Sequence, residues 1–335
     1  MATRAERTVV PRAASLAGRA GGWRIVAGKE LADSVTSARF VVLMIILGLA
    51  AAVPVYFASS DIRSAASQAS GVPAVFLALF TVGHSPLPSF YSLIGFLAPL
   101  LGIAFGFDAV NGERSQGTLP RLLAQPIYRD DVINGKFVAG LTVIGTIVVA
   151  MTSLVAGIGL LRLGIVPAWG EVERLIVWLV LTIIYIGLWL AFATLCSVVF
   201  QRAATSAMVA LGVWLTLTLF GSLFASLIAG ALAPLPASPT IAQSVSNAQV
   251  TQLFSSLSPS SLYQQATLVI LDPGVTALGV SGTAQLVQLA QQAPTLLSLE
   301  QSLLVAWPQV VVLVGLMVAS FAASYVGFLR QEVRA

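Results

Sequence analysis

Six times along the chain, mixed polar and apolar positions give way to an apolar run of the length that crosses a bilayer as a helix. That length is about 20 residues for about 30 Å of hydrocarbon. The runs are Phe40–Ala58, Phe90–Phe107, Phe137–Leu161, Leu175–Phe200, Ser206–Leu232 and Gln309–Leu329, and none contains Asp, Glu, Lys, Arg or His. A seventh run, Val72–Gly83, is closed by His84-Ser85-Pro86-Leu87-Pro88. At about 12 residues it is too short to span, and it suits an interfacial or re-entrant part of an outer loop. The pattern predicts an all-α integral membrane protein with six transmembrane helices.

Composition sharpens this. Of 335 residues, 57% are hydrophobic and 9% are charged, where a soluble domain carries roughly 25% charged residues. The mean hydropathy is +0.93. Too few polar residues are present to cover a water-facing exterior. Soluble enzymes, disordered regulators, collagens and nucleic-acid binders are therefore excluded for the chain as a whole, although its pI is near 9.6.

The basic residues give the orientation. With six spans and the amino terminus inside, the inner side holds Arg4, Arg7, Arg12, Arg19, Arg24, Lys29, Arg39, Arg114, Arg121, Arg129, Lys136, Arg202, Arg330 and Arg334. Only Arg63, Arg162 and Arg174 fall outside. The imbalance follows the positive-inside rule and places both termini in the cytoplasm, whereas a seventh span would blur it. Residues 1–39 are too long and polar for a signal-peptide n-region, so Phe40–Ala58 is expected to be an uncleaved anchor.

The expected organisation is a disordered cytoplasmic tail over 1–22, an amphipathic helix over 23–39, and a six-span domain over 40–335. The external loops run from about 59 to 89 and from about 233 to 307, with an inner loop over 108–136. Within the second external loop, Ile241, Val245, Leu253 and Leu257 follow a partly helical period, which suggests a mostly uncharged helical cap. No internal repeat is visible, which disfavours inverted-repeat transporters.

Missing chemistry narrows the function. Ion-coupled transporters place titratable groups within their spans, and these spans have none. The one histidine, His84, reads as a solvated loop residue because a metal site needs several ligands. The single cysteine, Cys196, excludes an intramolecular disulfide and a Cys-based metal site. Met44, Met151, Met208 and Met317 read as packing residues. Gly28-Lys29 and Gly135-Lys136 lack the upstream glycine of a phosphate-binding loop and are followed by Glu30 and Phe137, where Ser or Thr would hold magnesium. The chain is expected to have no catalytic residue, no metal and no cofactor of its own.

The inner loop carries the most information. Gly117 can end the descending helix and Thr118 can cap a new one. Leu119, Leu122 and Leu123 then share one face, Arg121 points elsewhere, and Pro126 stops the helix. Arg129 and Asp130-Asp131 lead towards the next span. In the amino-terminal segment, Trp23, Val26, Leu31, Val35 and Ala38 follow one face, with Arg24, Lys29, Glu30 and Asp33 elsewhere, as in a helix lying on the membrane.

The run from Glu113 through Gly117-Thr118-Leu119, Leu122-Leu123, Pro126 and Arg129 to Gly135-Lys136 resembles the signature of type-2 ABC transporter permeases. It is similar in particular to those of the nitrous-oxide-reductase maturation and gliding-motility type. Lys29-Glu30-Leu31 before Arg39-Phe40 resembles the family's approach to its first span. The layout matches over nearly the whole chain and the motifs over about 25–30 residues. Two features depart from the pattern: Pro120, tolerable only in a first helical turn, and an enlarged segment 59–89.

The resemblance implies a permease subunit, a homodimer with two cytoplasmic ABC ATPase subunits that hold ATP and magnesium. It lies in the cytoplasmic membrane of a bacterium and exports its substrate. Thr118–Gln125 would be the coupling helix, with Leu119, Leu122 and Leu123 in apolar pockets of the ATPase and Arg121 and Arg129 on acidic rim residues. Glu113, Gly117, Pro126 and Lys136 would frame it. Trp23, Lys29, Glu30 and Leu31 would belong to a connecting helix against the same ATPase. An uncharged path favours lipids, hydrophobic drugs or peptides as cargo. Two alternatives stand beside this. One is an ATP-driven force transmitter acting on an external partner through 233–307. The other is an ATPase-independent channel or scaffold.

Overall fold

A computed structural model describes residues 21–68, 74–117, 128–236, 238, 240–274 and 296–330, without the side chains of 64–68. Among these residues every regular element is a helix. Six are long and apolar enough to span a membrane: α2 (Ala38–Gln68), α4 (Phe90–Gly106), α6 (Arg129–Leu163), α7 (Trp169–Val199), α8 (Ala203–Leu232) and α11 (Leu299–Arg330). Each of the six predicted runs falls mainly within one of them. Shorter helices complete the set: α1 (Gly22–Val35), α3 (Val75–Thr81), α5 (Asn111–Ser115), α9 (Ile241–Ser255) and α10 (Pro259–Leu271). The amphipathic helix expected over 23–39 stops at Val35. Ser37 then caps the next helix, its Oγ accepting from Phe40 N at 3.2 Å.

The bundle is built around α7, whose apolar window is 61% buried, against 11% for α8 and α11. Close packing on α7 depends on residues without side chains. A Cβ at Gly102 would lie 2.5 Å from the Ile186 carbonyl oxygen, and one at Gly106 would lie 2.8 Å from that of Leu190. Gly102 and Gly106 are four residues apart on one face, so α4 meets α7 backbone to backbone. Small residues at this spacing drive helix association in lipid, where burial of apolar area gives no advantage. The outward faces of α2, α8 and α11 present Val42, Ile46, Leu49, Leu219, Leu223, Leu227, Val311 and Val318, as helices facing hydrocarbon do.

One end of the bundle gathers both ends of the described chain. Val110, Val132, Ile133, Val198 and Phe328 form a small buried cluster there, and Phe137 stacks on Phe321 at 4.2 Å. The opposite end is more deeply filled than its sequence suggests. In α3, Phe76, Leu77, Leu79 and Phe80 are buried, and Phe80 meets Phe90 and Trp178 edge-on. The short run around Val72–Gly83 thus contributes a helix inserted between the span ends. His84, expected to be solvated, is partly exposed and pairs with Asp61, Nδ1 to Oδ2, at 2.6 Å. Among the described residues there is no group of three or more His, Cys, Asp or Glu able to hold a metal.

α10 lies inside this end and goes beyond the cap that the sequence predicts. Pro259 opens it in the first turn, where a missing N–H costs nothing. Leu262, Tyr263, Ala266, Val269 and Ile270 are all buried. The Tyr263 ring stacks on Tyr185 at 4.4 Å, and its hydroxyl lies 3.0 Å from Thr182 Oγ1. Tyr185 donates to the Gly95 carbonyl at 2.8 Å and shares a contact with Ser260, which also meets Thr218. This hydroxyl network joins α4, α7, α8 and α10, satisfying polar groups that hydrocarbon would leave unpaired.

Arg174, counted among the outer charges, is buried in the first turns of α7. Its guanidinium donates to the carbonyls of Ile270 and Leu297 at 2.8 and 2.5 Å and to Ser302 Oγ at 3.1 Å. A cation at the carboxyl end of α10 also complements that helix's dipole. α9, by contrast, rests on α8 with Ile241 and Leu253 exposed, as is Leu257 just beyond it. It starts with a capping box in which Gln243 N donates to Thr240 Oγ1 at 3.3 Å.

Candidate functional site: the charged end of the bundle

The residues singled out at Glu30, Glu113 and Lys136 come from three separate segments, and the fold brings them together. α1 crosses the start of α6 at Gly135. A Cβ there would sit 2.7 Å from Val26 Cβ and 2.8 Å from the Trp23 carbonyl oxygen, so only glycine permits the contact. The next residue, Lys136, directs its Nζ between Glu30 Oε1 of α1 at 2.8 Å and Glu113 Oε1 of α5 at 2.7 Å. The Lys136 side chain is only 8% exposed. A buried ammonium is tolerated only with close opposite charges, and here two carboxylates supply them. The Gly-Lys pair therefore has a local explanation: the glycine admits α1, and the lysine fastens it.

Neighbouring contacts stiffen the same end. Arg39, at the start of α2, pairs with Asp108 at 2.6 Å and lies over the Phe107 ring. Ser197 Oγ, near the end of α7, accepts from Val110 N and Asn111 N at 3.0 and 3.1 Å. These bonds hold the start of α5, where backbone donors lack intrahelical partners. Gly117 has φ +67°, the left-handed conformation that closes a helix, as its sequence position suggests. Beyond it, Thr118, Leu119, Arg121, Leu122, Leu123 and Pro126 lie outside the described residues. The chain resumes at Tyr128, whose N–H donates to Asp131 Oδ2 at 3.4 Å in the first turn of α6. The buried Asp131 also backs the amino terminus of α1, directly beneath Gly22.

The other candidates are distributed more loosely. Trp23 is half-buried with the Arg24 guanidinium over its ring at 5.4 Å. Leu31 packs against the main core. Lys29 faces Asp33 at 3.2 Å, an exposed pair four residues apart that contributes little to stability. Arg129 opens α6 from an exposed position. Sequence reasoning put Arg39 on the inner side and Asp108 at the head of the inner loop without pairing them, and it missed Ser197 as part of this end. It also passed over Gly102 and Gly106, although their four-residue spacing in an apolar run was a legible signal.

Six apolar helices of spanning length, with most of the ion pairs among the described residues at one end, define a multi-pass membrane protein. The family model described as ABC-2 family transporter protein matches residues 24–333, and the chain belongs to that family. Among curated proteins, the chain is similar to the "Probable ABC transporter permease protein NosY" of Stutzerimonas stutzeri. The two are 30% identical over 141 residues, 40% of this chain and 49% of that protein. The protein of the same name in Pseudomonas aeruginosa is 29% identical over 151 residues, 45% of this chain and 48% of its own length. The chain thus spans about half the length of the curated relatives it matches.

Proposed function

We propose that this chain is the membrane-spanning subunit of an ATP-driven exporter in a bacterial cytoplasmic membrane. It works as a homodimer with two ATPase subunits, and both termini face the cytoplasm. The ATPases hold ATP and magnesium, and this chain contributes contact rather than catalysis. Thr118–Gln125 acts as the coupling helix, with Leu119, Leu122 and Leu123 in the ATPase and Arg121 and Arg129 at its rim. α1 acts as the connecting helix.

The observation that supports this best is the Glu30–Lys136–Glu113 junction. Both flanks of the loop and α1 are tied at one buried point. A push delivered to the loop therefore reaches α4 through α5, α6 directly, and α1 at the same time. Nucleotide-driven closure of the ATPases then biases a rigid-body switch of the two permease copies. The apolar outward path suits hydrophobic or uncharged cargo.

The test is affinity purification from native membranes followed by identification of co-purifying chains. A stoichiometric ABC ATPase is expected, and Leu122→Asp is expected to release it while the permease stays in the membrane. Recovery of the chain alone under mild detergent and cross-linking overturns the proposal and favours a channel or scaffold. A second reading, a force transmitter acting on an external partner, is favoured by one observation: the exposed apolar residues Ile241 and Leu253 of α9 and Leu257 just after it on the outer loop. ATPase activity indifferent to cargo, with a partner captured through 233–307, would support it.

A further inference from the structure

At the end of the bundle opposite the charged one, two cations stand at the top of an exposed helix face. Val42, Ile46, Leu49, Val53 and Tyr56 are all exposed and follow one another at alternating steps of four and three residues, so they form one stripe along α2. The same stripe reaches Arg63, which is also exposed. Arg162, in the last turn of α6, comes to the same place. Its guanidinium lies 4.1 Å from the Tyr56 ring centroid, and its Nε donates to Ser59 Oγ at 3.4 Å. The ring face thus holds the guanidinium.

The two arginines share a depth. Along α2, Arg63 stands about 36 Å from Arg39 at the charged end, and along α6, Arg162 stands about 39 Å from Lys136. Both lengths exceed the hydrocarbon core of about 30 Å, which puts the two guanidiniums in the headgroup layer. Among the described residues, no carboxylate lies within 4.0 Å of either, and residues 64–73 contain no Asp or Glu. Neighbouring carboxylates face elsewhere. Asp61 meets His84 Nδ1 at 2.6 Å, and Glu171 accepts from Phe76 N and Ala168 N at 3.1 and 2.8 Å. One arginine at a span end is satisfied by water. Two without carboxylate partners, beside one aromatic ring and above an apolar stripe, complement a phosphate that carries hydrocarbon.

We propose that this rim binds one anionic phospholipid, its phosphate between Arg63 and Arg162 and an acyl chain along the α2 stripe. Guanidinium suits the role because its planar fork donates to two phosphate oxygens at once. A headgroup of net negative charge is preferred, since the amine of a zwitterionic one would meet two cations. The inference stands apart from the coupling proposal, because binding needs neither nucleotide nor ATPase motion.

The experiment uses the full-length chain, with any ATPase that accompanies it, delipidated in maltoside micelles without nucleotide. Native mass spectrometry counts the lipid retained per chain as phosphatidylglycerol or phosphatidylethanolamine with the same acyl chains is added. One phosphatidylglycerol per chain is expected to bind first, about fivefold more tightly than phosphatidylethanolamine. Arg63→Gln removes a side chain that makes no ion pair or hydrogen bond among the described residues, and it is expected to weaken phosphatidylglycerol about fivefold. Arg162→Gln is expected to act similarly, while Arg202→Gln, at an exposed cation of the charged end, leaves binding unchanged. Glycerol 3-phosphate offers the same anion without acyl chains and is expected not to displace the lipid. Displacement by it would assign the site to a free phosphate and overturn a lipid as the occupant. Equal binding of the two lipids overturns the proposal, as does unchanged affinity in Arg63→Gln or an equal loss in Arg202→Gln.

Discussion

Lys136 and Glu30 stand 106 residues apart in the chain and 2.8 Å apart in space. Their contact, completed by Glu113 on the other side of the ammonium, is what fixes α1 to the spanning bundle. Removing the cation leaves two partly buried carboxylates facing each other. Lys136→Met is therefore expected to cost about 3 kcal/mol, the scale for breaking a buried pair from one side. The loss is expected to be local. Hydrogen exchange should rise across α1 and the first turns of α6, while the hydroxyl network at the opposite end stays protected. Replacing Glu30 and Glu113 by Gln in the same chain should recover part of the stability. Protection of α1 that survives Lys136→Met would show that its apolar contacts suffice.

Gly135 sets how closely α1 can approach. A leucine there meets both the Val26 side chain and the Trp23 carbonyl, neither of which can yield without moving the helix. Gly135→Leu is expected to lift α1 and break the Glu30 contact, with overpacking cost on the order of 1–3 kcal/mol. A cysteine pair placed at Glu30 and Lys136 should be bridged by a short bifunctional thiol reagent when Gly135 is kept and escape bridging in the Gly135→Leu background. Gly102→Leu makes a useful contrast. Its clash is with the α7 backbone, so the expected outcome is poor folding of the whole bundle and low membrane yield.

How much could be read beforehand divides along physical lines. Apolar runs of spanning length report themselves, because hydrocarbon admits few alternatives to a helix. The six spans were legible for that reason. Glu113, Lys136, Lys29 and Glu30 were legible as motif positions, but periodicity within one segment says nothing about which distant segment it faces, so their meeting at Lys136 was not. α10 was missed because 13 residues fall below spanning length and Ser, Thr and Gln dilute its apolar face, although Leu262, Tyr263, Ala266 and Val269 keep helical spacing. Arg174 was counted with the outer charges, but counting charges by loop cannot show that its guanidinium is turned inward onto three acceptors.

Arg174 is expected to pin α10. Arg174→Gln gives up charge-assisted bonds to the Ile270 and Leu297 carbonyls and Ser302, for a cost of roughly 3 kcal/mol. α10 should then open to solvent more often. Ser260, buried at 3% exposure, offers the readout. With Cys196 replaced by Ala, Ser260→Cys should resist a membrane-impermeant maleimide in the parent and react in the Arg174→Gln background. Equal resistance in both would mean that the Tyr263 stack alone holds the helix.

Tyr263 predicts how that end responds to alkali. Burial pushes its phenol from 10.0 up to about 12, with the hydrogen bond to Thr182 opposing the shift. A folded-state value above the unfolded one means that the native form holds its proton more tightly. The resulting stability is complete below about pH 10, declines as pH rises, and is lost above about pH 12. Absorbance near 295 nm should therefore show buried tyrosine that ionises only together with loss of helical structure. Tyr263→Phe removes both the titration and the Thr182 bond. That variant is expected to be less stable at pH 7 by about 1 kcal/mol, yet to lose less stability than the parent between pH 10 and 12. A parent and variant that fall in parallel over that range would assign the alkaline transition to another group.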